Sequence, residues 1–170
     1  MSIDLYAGQV PTADELLALS PTYVQLGTAH NITSSTTLQS TAIIVPVDGP
    51  TVVELSARYA SGGGGIKWSW AVNGGSPSLL VRDIMSVGSS TSTTDGTLNV
   101  ADMRWRQIAT LTEDQASAHF NAAATQLIRE RLLLEGTGEI VFRFAQASSN
   151  ASATTLNAAS FATIQKVRPL

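Results

Sequence analysis

The sequence predicts an all-β protein: an antiparallel β-sandwich or jelly roll with a short N-terminal arm and a helical turn. Three observations indicate this class. Runs in which apolar and polar residues alternate recur along the chain, which is typical of half-buried strands. Residues that favour turns, mainly Gly, Pro, Asn and Asp, separate these runs. Regular helices between the strands, which a doubly wound fold requires, are not predicted.

The composition indicates one domain that packs against other proteins. A chain of 170 residues and 17.8 kDa suits a single core, so we expect an arm over residues 1–21 and a sandwich over residues 22–170. Only 14% of residues are charged, against about a quarter in most domains. A polar surface with so little charge favours contact with further copies or with other proteins. The net charge of −3 and the absence of a Lys or Arg run argue against nucleic acid and acidic membranes as partners.

Several further classes are excluded by what the sequence lacks. Cysteine is absent, which excludes disulfides and Cys-ligated zinc. The first 21 residues have no basic segment and carry acidic residues, so we do not expect a signal peptide. No apolar run approaches the ~20 residues of a membrane-spanning helix. We therefore expect synthesis in the cytoplasm.

The first 21 residues differ from the rest of the chain. Residues 2–10 are predicted to be extended, and Thr12 and Glu15 have the spacing of a capping box that begins a short helix before Pro21. One or two helical turns are not stable alone, so this arm is expected to dock on a partner. Its candidate anchoring residues are the apolar side chains Ile3, Leu5, Tyr6, Leu16, Leu17 and Leu19.

The strand predictions follow the alternating runs in order. Between residues 112 and 135 the pattern is ambiguous, since good helix formers precede a hairpin-like segment; we predict a loop or one helical turn over 113–123 and a strand over 127–135. The run Gly62–Gly65 is predicted to be a flexible turn, because it lies between two strands. The other predicted strands cover residues 23–26, 41–47, 51–59, 66–73, 79–87, 99–111, 139–145 and 160–167.

Residue patterns typical of catalysis are missing. His30 and His119 lack the spacing of metal ligands, no GxSxG motif is present, and the acidic residues are spread singly. The Gly62–Gly65 run lacks the Lys and the helix that a phosphate loop needs. We therefore expect a protein that is not an enzyme and that has no metal or cofactor.

The tryptophans suggest two alternatives. Trp68 and Trp70 share one face of the predicted strand with Ile66 and Val72, which favours a buried core face over a platform for stacking sugars. Trp105 lies between two arginines, and its face is not determined by the pattern. Trp105 is therefore our tryptophan candidate for an interface.

Four phrases carry a resemblance to a known family. They are Tyr6-Ala-Gly-Gln9, residues 33–39 (TSSTTLQ), residues 142–152 (FRFAQASSNAS) and the final run 159–167. Together they resemble short virion proteins of tailed phages, especially phages of actinobacteria, which are described as minor tail or head decoration proteins. The resemblance covers most of residues 5–75 and 136–168, whereas residues 76–135 depart from it.

The resemblance implies a function and partners. Such modules are similar to the trimeric jelly rolls of tumour-necrosis-factor-like proteins, so we expect a homotrimer on the virion. The first reading is a capsid decoration protein that binds the outer surface of the head, contacts the major capsid protein or its neighbours, and stabilises the shell. The alternative is a tail-associated or fibre-tip protein that binds host glycans or a receptor. The third class, an enzyme, is disfavoured by the missing motifs.

Overall fold

The computed structural model describes residues 20–87, 103–117 and 125–167. Twelve strands run through these residues, and the predicted helical turn of the arm lies outside them. The strands are β1 (Thr22–Gln25), β2 (His30–Ile32), β3 (Gln39–Asp48), β4 (Thr51–Ser61), β5 (Ile66–Gly75), β6 (Ser78–Val87), β7 (Met103–Gln107), β8 (Gln115–Ser117), β9 (Gln126–Glu135), β10 (Thr137–Ala145), β11 (Thr154–Leu156) and β12 (Phe161–Lys166).

Five nested strand pairs produce a jelly roll. β1 pairs with β12, and within that outer pair lie β2 with β11, β3 with β10, β4 with β9, and β5 with β8, all antiparallel. A chain folded back on itself in this way is a long ribbon, and wrapping the ribbon brings β12 beside β4 and β10 beside β5. The result is two antiparallel sheets packed as a sandwich, which confirms the predicted fold class.

The two sheets differ in size. The large sheet has the order β1-β12-β4-β9-β6-β7, and the small sheet has the order β3-β10-β5-β8. The hairpin of β6 and β7 is an addition to the nested ribbon: it lies between β5 and β8 in the chain and extends the large sheet beyond β9. The short strand β11 pairs with β2 and with one end of β4.

The core lies between the sheets and follows the alternation of the long strands. Trp68 and Trp70 of the small sheet are fully buried, and Trp70 contacts Phe142 edge to face. Ile66 is buried on the same face, as predicted. Val72 was assigned to this face too, but it is 46% exposed, because it lies beyond the last large core residue of β5 and close to the following turn.

Two predictions between β6 and β9 are corrected. Residues 115–117 form a strand, not a loop or helical turn, because the edge of β5 offers them backbone partners. The strand predicted over 99–111 covers only Met103–Gln107 among the described residues, and the chain beyond it turns inward to bury Ile108 and Leu111. Residues 99–102 and 118–123 lie outside the description.

The sandwich has two unlike ends. At one, named here the turn end, short turns join β3 to β4, β5 to β6 and β9 to β10. The described chain also enters and leaves here, since β1 begins beside the end of β12 and the Val167 N–H donates to the Pro50 carbonyl at 2.8 Å. The opposite end, the loop end, carries the 62–65 turn and the 146–153 loop.

Two glycines permit close backbone contact at the turn end. Gly75 and Gly138 face each other across β5 and β10, with φ angles of 69° and 146°. A Cβ atom on Gly138 would lie 2.1 Å from the Gly74 carbonyl oxygen. Only glycine fits this approach, which brings the two strands together as they leave the sheet.

Candidate functional site

A polar centre lies inside the core, around the Glu130 carboxylate. Its Oε1 accepts hydrogen bonds from Trp68 Nε1 at 2.5 Å and from Arg82 Nη2 at 3.0 Å. Its Oε2 accepts from Trp70 Nε1 at 2.6 Å and from Arg82 Nε at 3.3 Å. The side chains of Arg82 and Glu130 are both 0% exposed. Four donors on one carboxylate compensate the loss of water that burial imposes.

The other side of the Arg82 guanidinium holds the chain that follows β7. Nη1 donates to the carbonyl oxygens of Thr110, Leu111 and Glu113, at 3.3, 2.9 and 3.0 Å. The polar centre therefore joins β5 of the small sheet, β6 and β9 of the large sheet, and the connection between the sheets. It is a closed structural element, and its donors and acceptors are occupied by one another.

The prediction that Trp68 and Trp70 are core residues is confirmed by their complete burial. Their indole N–H groups explain why tryptophan, and not an aliphatic residue, occupies these positions. Arg82 and Glu130 were not predicted as members of this centre. The sequence did contain an indication for Glu130. This acid lies on the core-facing side of β9, between the buried Ile128 and Leu132, where an aliphatic residue would be expected.

A groove of about 450 Å³ lies on the other face of the large sheet, away from the core. Side chains from four neighbouring strands form it in two rows, as the strand register shows. One row is Phe161, Ser56, Arg129 and Met85, and the other is Thr163, Glu54, Arg131 and Asp83.

The charges in this groove are balanced, and two of the four charged side chains have no partner among the described residues. Glu54 and Arg131 approach loosely, with 3.9 Å between Oε1 and Nε, and both side chains are 65% exposed. Asp83 and Arg129 have no hydrogen-bond or ion-pair partner for their side chains among the described residues. Asp83 is half-buried, and Arg129 is exposed. Within the described residues, these two side chains therefore have unused hydrogen-bonding capacity.

The predicted interface residues are only partly described. The backbone of Trp105 lies in β7 opposite Met85, next to the groove, while its side chain lies outside the description. The proposed anchoring residues of the arm all lie outside the described ranges, so their role stays a prediction. These residues are Ile3, Leu5, Tyr6, Leu16, Leu17 and Leu19.

The candidate metal ligands do not come together in the described part of the chain. His30 packs edge to face on Phe144 and lies 3.2 Å from the Gln39 side-chain oxygen, which is a structural role, and His119 is not described. Asp114 pairs with Lys67 at 3.8 Å. Within the described residues, no three His, Cys, Asp or Glu side chains form a metal-binding group, and no helix is long and apolar enough to cross a membrane.

The loop end is organised by one buried amide. Gln146 is 0% exposed; its Oε1 accepts from the N–H groups of Ser35 and Asn150, and its Nε2 donates to the Ser152 carbonyl. The 146–153 loop also bonds the 62–65 turn, because the Ser148 N–H donates to the Gly64 carbonyl at 2.9 Å. The turn expected to be flexible is thus bonded to its neighbour.

At the turn end, an ion pair fixes the last strand. Lys166 Nζ donates to Asp48 Oδ2 at 2.5 Å, and this hydrogen bond lowers the pKa of Asp48 below its usual value. Nearby, Asn73 donates to Glu139 at 3.1 Å. Both contacts are exposed, so each contributes little to stability.

Comparisons with known proteins identify no family. No family model matches the chain, and no curated protein matches its sequence. Among solved structures, the infectious bursal disease virus VP2 subviral particle aligns with 98% of this chain at 10% identity and a TM-score of 0.17. The chain spans 46% of the length of that VP2 chain. A TM-score this low does not establish a shared fold.

Proposed function

We propose that this chain is a virion structural protein of a tailed bacteriophage: a homotrimeric decoration protein that binds the outer surface of the head and stabilises it. Its partners are further copies of itself and the major capsid protein, and it has no catalytic role. The resemblance of the phrases in residues 5–75 and 136–168 supports this class, and the jelly-roll fold is the one that the resemblance implies.

The observation that carries the proposal is the difference between the two ends of the sandwich. Because the described chain enters and leaves at the turn end, residues 1–19 and 168–170 both attach there. The arm with its predicted anchoring residues thus starts from one end, and the packed loops lie at the other. A decoration protein needs this polarity, with one end for the shell and one for solvent.

The apolar surface supports the same orientation. Among the described residues, the large hydrophobic side chains that are exposed lie in the half of the sandwich nearer the turn end. Each is within about four residues of a turn or of the end of β12. They do not form one continuous patch, because Tyr23 faces outward on the large sheet and Ile44 faces outward on the small sheet; what they share is the end of the sandwich. Apolar side chains exposed toward one end suit a contact surface at that end. The side chains are Tyr23, Ile44, Val72, Leu80 and Val167.

Labelling on purified virions tests both location and orientation. Since the chain has no cysteine, Ser149→Cys at the loop end and Glu135→Cys at the turn end each give one labelling site. We expect maleimide gold on Ser149→Cys in a regular array over the head, and protection of Glu135→Cys relative to the free protein. Light scattering of the free protein should give three times the 17.8 kDa chain mass. Equal labelling of both sites on virions, or a monomer, would contradict the proposal.

A second candidate function is a tail-associated protein that binds host glycans. The groove on the large sheet favours it, because its unpaired polar side chains suit a ligand. Gold confined to the tail or its tip would support this candidate and reject decoration of the head.

A further inference from the structure

The groove on the outer face of the large sheet has the chemistry of a binding site, and the closed polar centre does not. Its volume of about 450 Å³ lies within the ~300–1,000 Å³ range of ligand sites. It is built on four paired strands, so the spacing of its side chains is set by the sheet, with ~4.8 Å between strands and ~6.8 Å between the two rows. Rigid placement of this kind is what specific binding requires.

We propose that this groove binds a neutral oligosaccharide. The charges argue against an anionic ligand: Glu54 and Asp83 balance Arg129 and Arg131, so the lining has no excess positive charge for phosphate or acidic polymers. An uncharged polyol fits because each hydroxyl both donates and accepts. Carboxylates accept from neighbouring hydroxyls, and guanidinium groups donate to them.

The apolar contacts of the groove come from one row only. Phe161 and Met85 are half-buried at the two ends of one row, with Ser56 and Arg129 between them. An aromatic ring and a thioether offer surfaces for the C–H face of a sugar ring. The second row adds hydrogen-bonding groups: the Thr163 hydroxyl, the loosely held Glu54 and Arg131, and the unpaired Asp83.

The unpaired state of Asp83 and Arg129 is the strongest feature of the groove. They lie on adjacent strands, one row apart, and neither side chain is bonded to another described residue. Asp83 is half-buried and so has lost part of its hydration without gaining a partner. A ligand that bonds both groups would supply the missing contacts.

The test uses the full chain on a printed array of neutral and acidic oligosaccharides, with a fluorophore on Ser149→Cys, remote from the groove. The strongest neutral ligand is then titrated into ¹⁵N-labelled protein. We expect binding of neutral glycans, with amide shifts centred on Ser56, Asp83 and Arg129. Binding of acidic glycans only, or of none, overturns the proposal.

Matched variants locate the site. Asp83→Asn and Arg129→Gln should each weaken binding by about tenfold or more, since each removes a charge-assisted hydrogen bond. Asp114→Asn and Arg58→Gln lie outside the groove and should bind like the parent. Equal loss in the controls overturns the proposal. So does a fall in molar mass by light scattering with the groove variants, because the face is then a contact between copies.

This inference does not rest on the proposed location on the head. Array binding and amide shifts report on the groove alone, whereas gold labelling reports on the position in the virion. Failure of one therefore leaves the result of the other intact.

Discussion

Glu130 and Arg131 are neighbours on β9, yet their ion pairs lie in opposite environments. Glu130 points into the core, where Arg82 and two indoles bond it and both charged side chains are 0% exposed. Arg131 points outward, where it lies 3.9 Å from Glu54 and both side chains are 65% exposed. Consecutive side chains of a strand point to opposite faces of the sheet, so these two neighbouring charges have different surroundings.

The difference shows what burial demands of a charge. Inside the sandwich, a carboxylate that has lost water accepts hydrogen bonds from three other side chains. On the outer face, water solvates both partners, so a loose pair suffices and contributes little. We therefore expect removal of one buried partner to cost far more stability than removal of one exposed partner.

Breaking the buried pair should have the largest effect. Glu130→Gln keeps the shape but leaves the Arg82 guanidinium buried without a counter-charge, so we expect the free energy of unfolding to fall by about 3–5 kcal/mol. Urea denaturation followed by tryptophan fluorescence measures it. Glu135→Gln, exposed on the same strand, is the control and should change stability by less than ~0.5 kcal/mol. A loss below ~1 kcal/mol for Glu130→Gln would show that the pair is not needed.

The second prediction tests another buried group, the Tyr59 hydroxyl of β4. Burial raises the pKa of Tyr59 to about 12, while the hydrogen bond to Ser117 acts weakly the other way. The unfolded chain therefore loses this proton first, and stability should fall as pH rises from about 10 to about 12, by up to ~3 kcal/mol. Urea midpoints across this range measure it. Tyr59→Phe should lack this part of the pH dependence; an identical slope would reject the assignment.

The two indoles should contribute about equally, one to each carboxylate oxygen. Trp70→Phe keeps an aromatic ring but removes the indole donor to Oε2, and we expect the free energy of unfolding to fall by about 2 kcal/mol. Trp68→Phe, which removes the donor to Oε1, is the matched variant. Urea denaturation followed by far-UV circular dichroism compares them. A loss confined to one variant would show that the carboxylate depends on a single indole.

The smallest effect should come from the exposed pair. Glu54→Gln is expected to change the free energy of unfolding by less than ~1 kcal/mol, because both partners are hydrated. The difference should disappear in 1 M NaCl, where the Debye length is ~3 Å. Parallel urea titrations of parent and variant at low and high salt measure it. A large change in the free energy of unfolding that persists in 1 M NaCl would show that this pair behaves like the buried pair.

Much of the fold was predictable from the alternation. The strand predicted over 127–135 is observed as Gln126–Glu135, and the one over 51–59 as Thr51–Ser61, because each long run carries its own period of two. The three-residue strands β2, β8 and β11 were not predicted. Runs that short have no readable period, and they form because a neighbouring strand offers backbone partners.

The sites were predictable only in part. The alternation of apolar and polar residues placed Trp68 and Trp70 in the core. It also puts Glu130 on the same strand face as buried aliphatic residues. It did not reveal that Arg82, 48 residues earlier, supplies the counter-charge. The groove was not predicted, because its two rows combine residues from four strands.

The sequence by itself determined the all-β class, the burial of one face of each long strand and the low charge of the surface. These are local properties, since a period of two is visible within a few residues. Only the tertiary structure decided which strands pair and which charges meet. Pairing depends on register, and register is shifted by bulges such as the one between Val141 and Arg143, where the buried Thr41 hydroxyl bonds the Phe142 carbonyl.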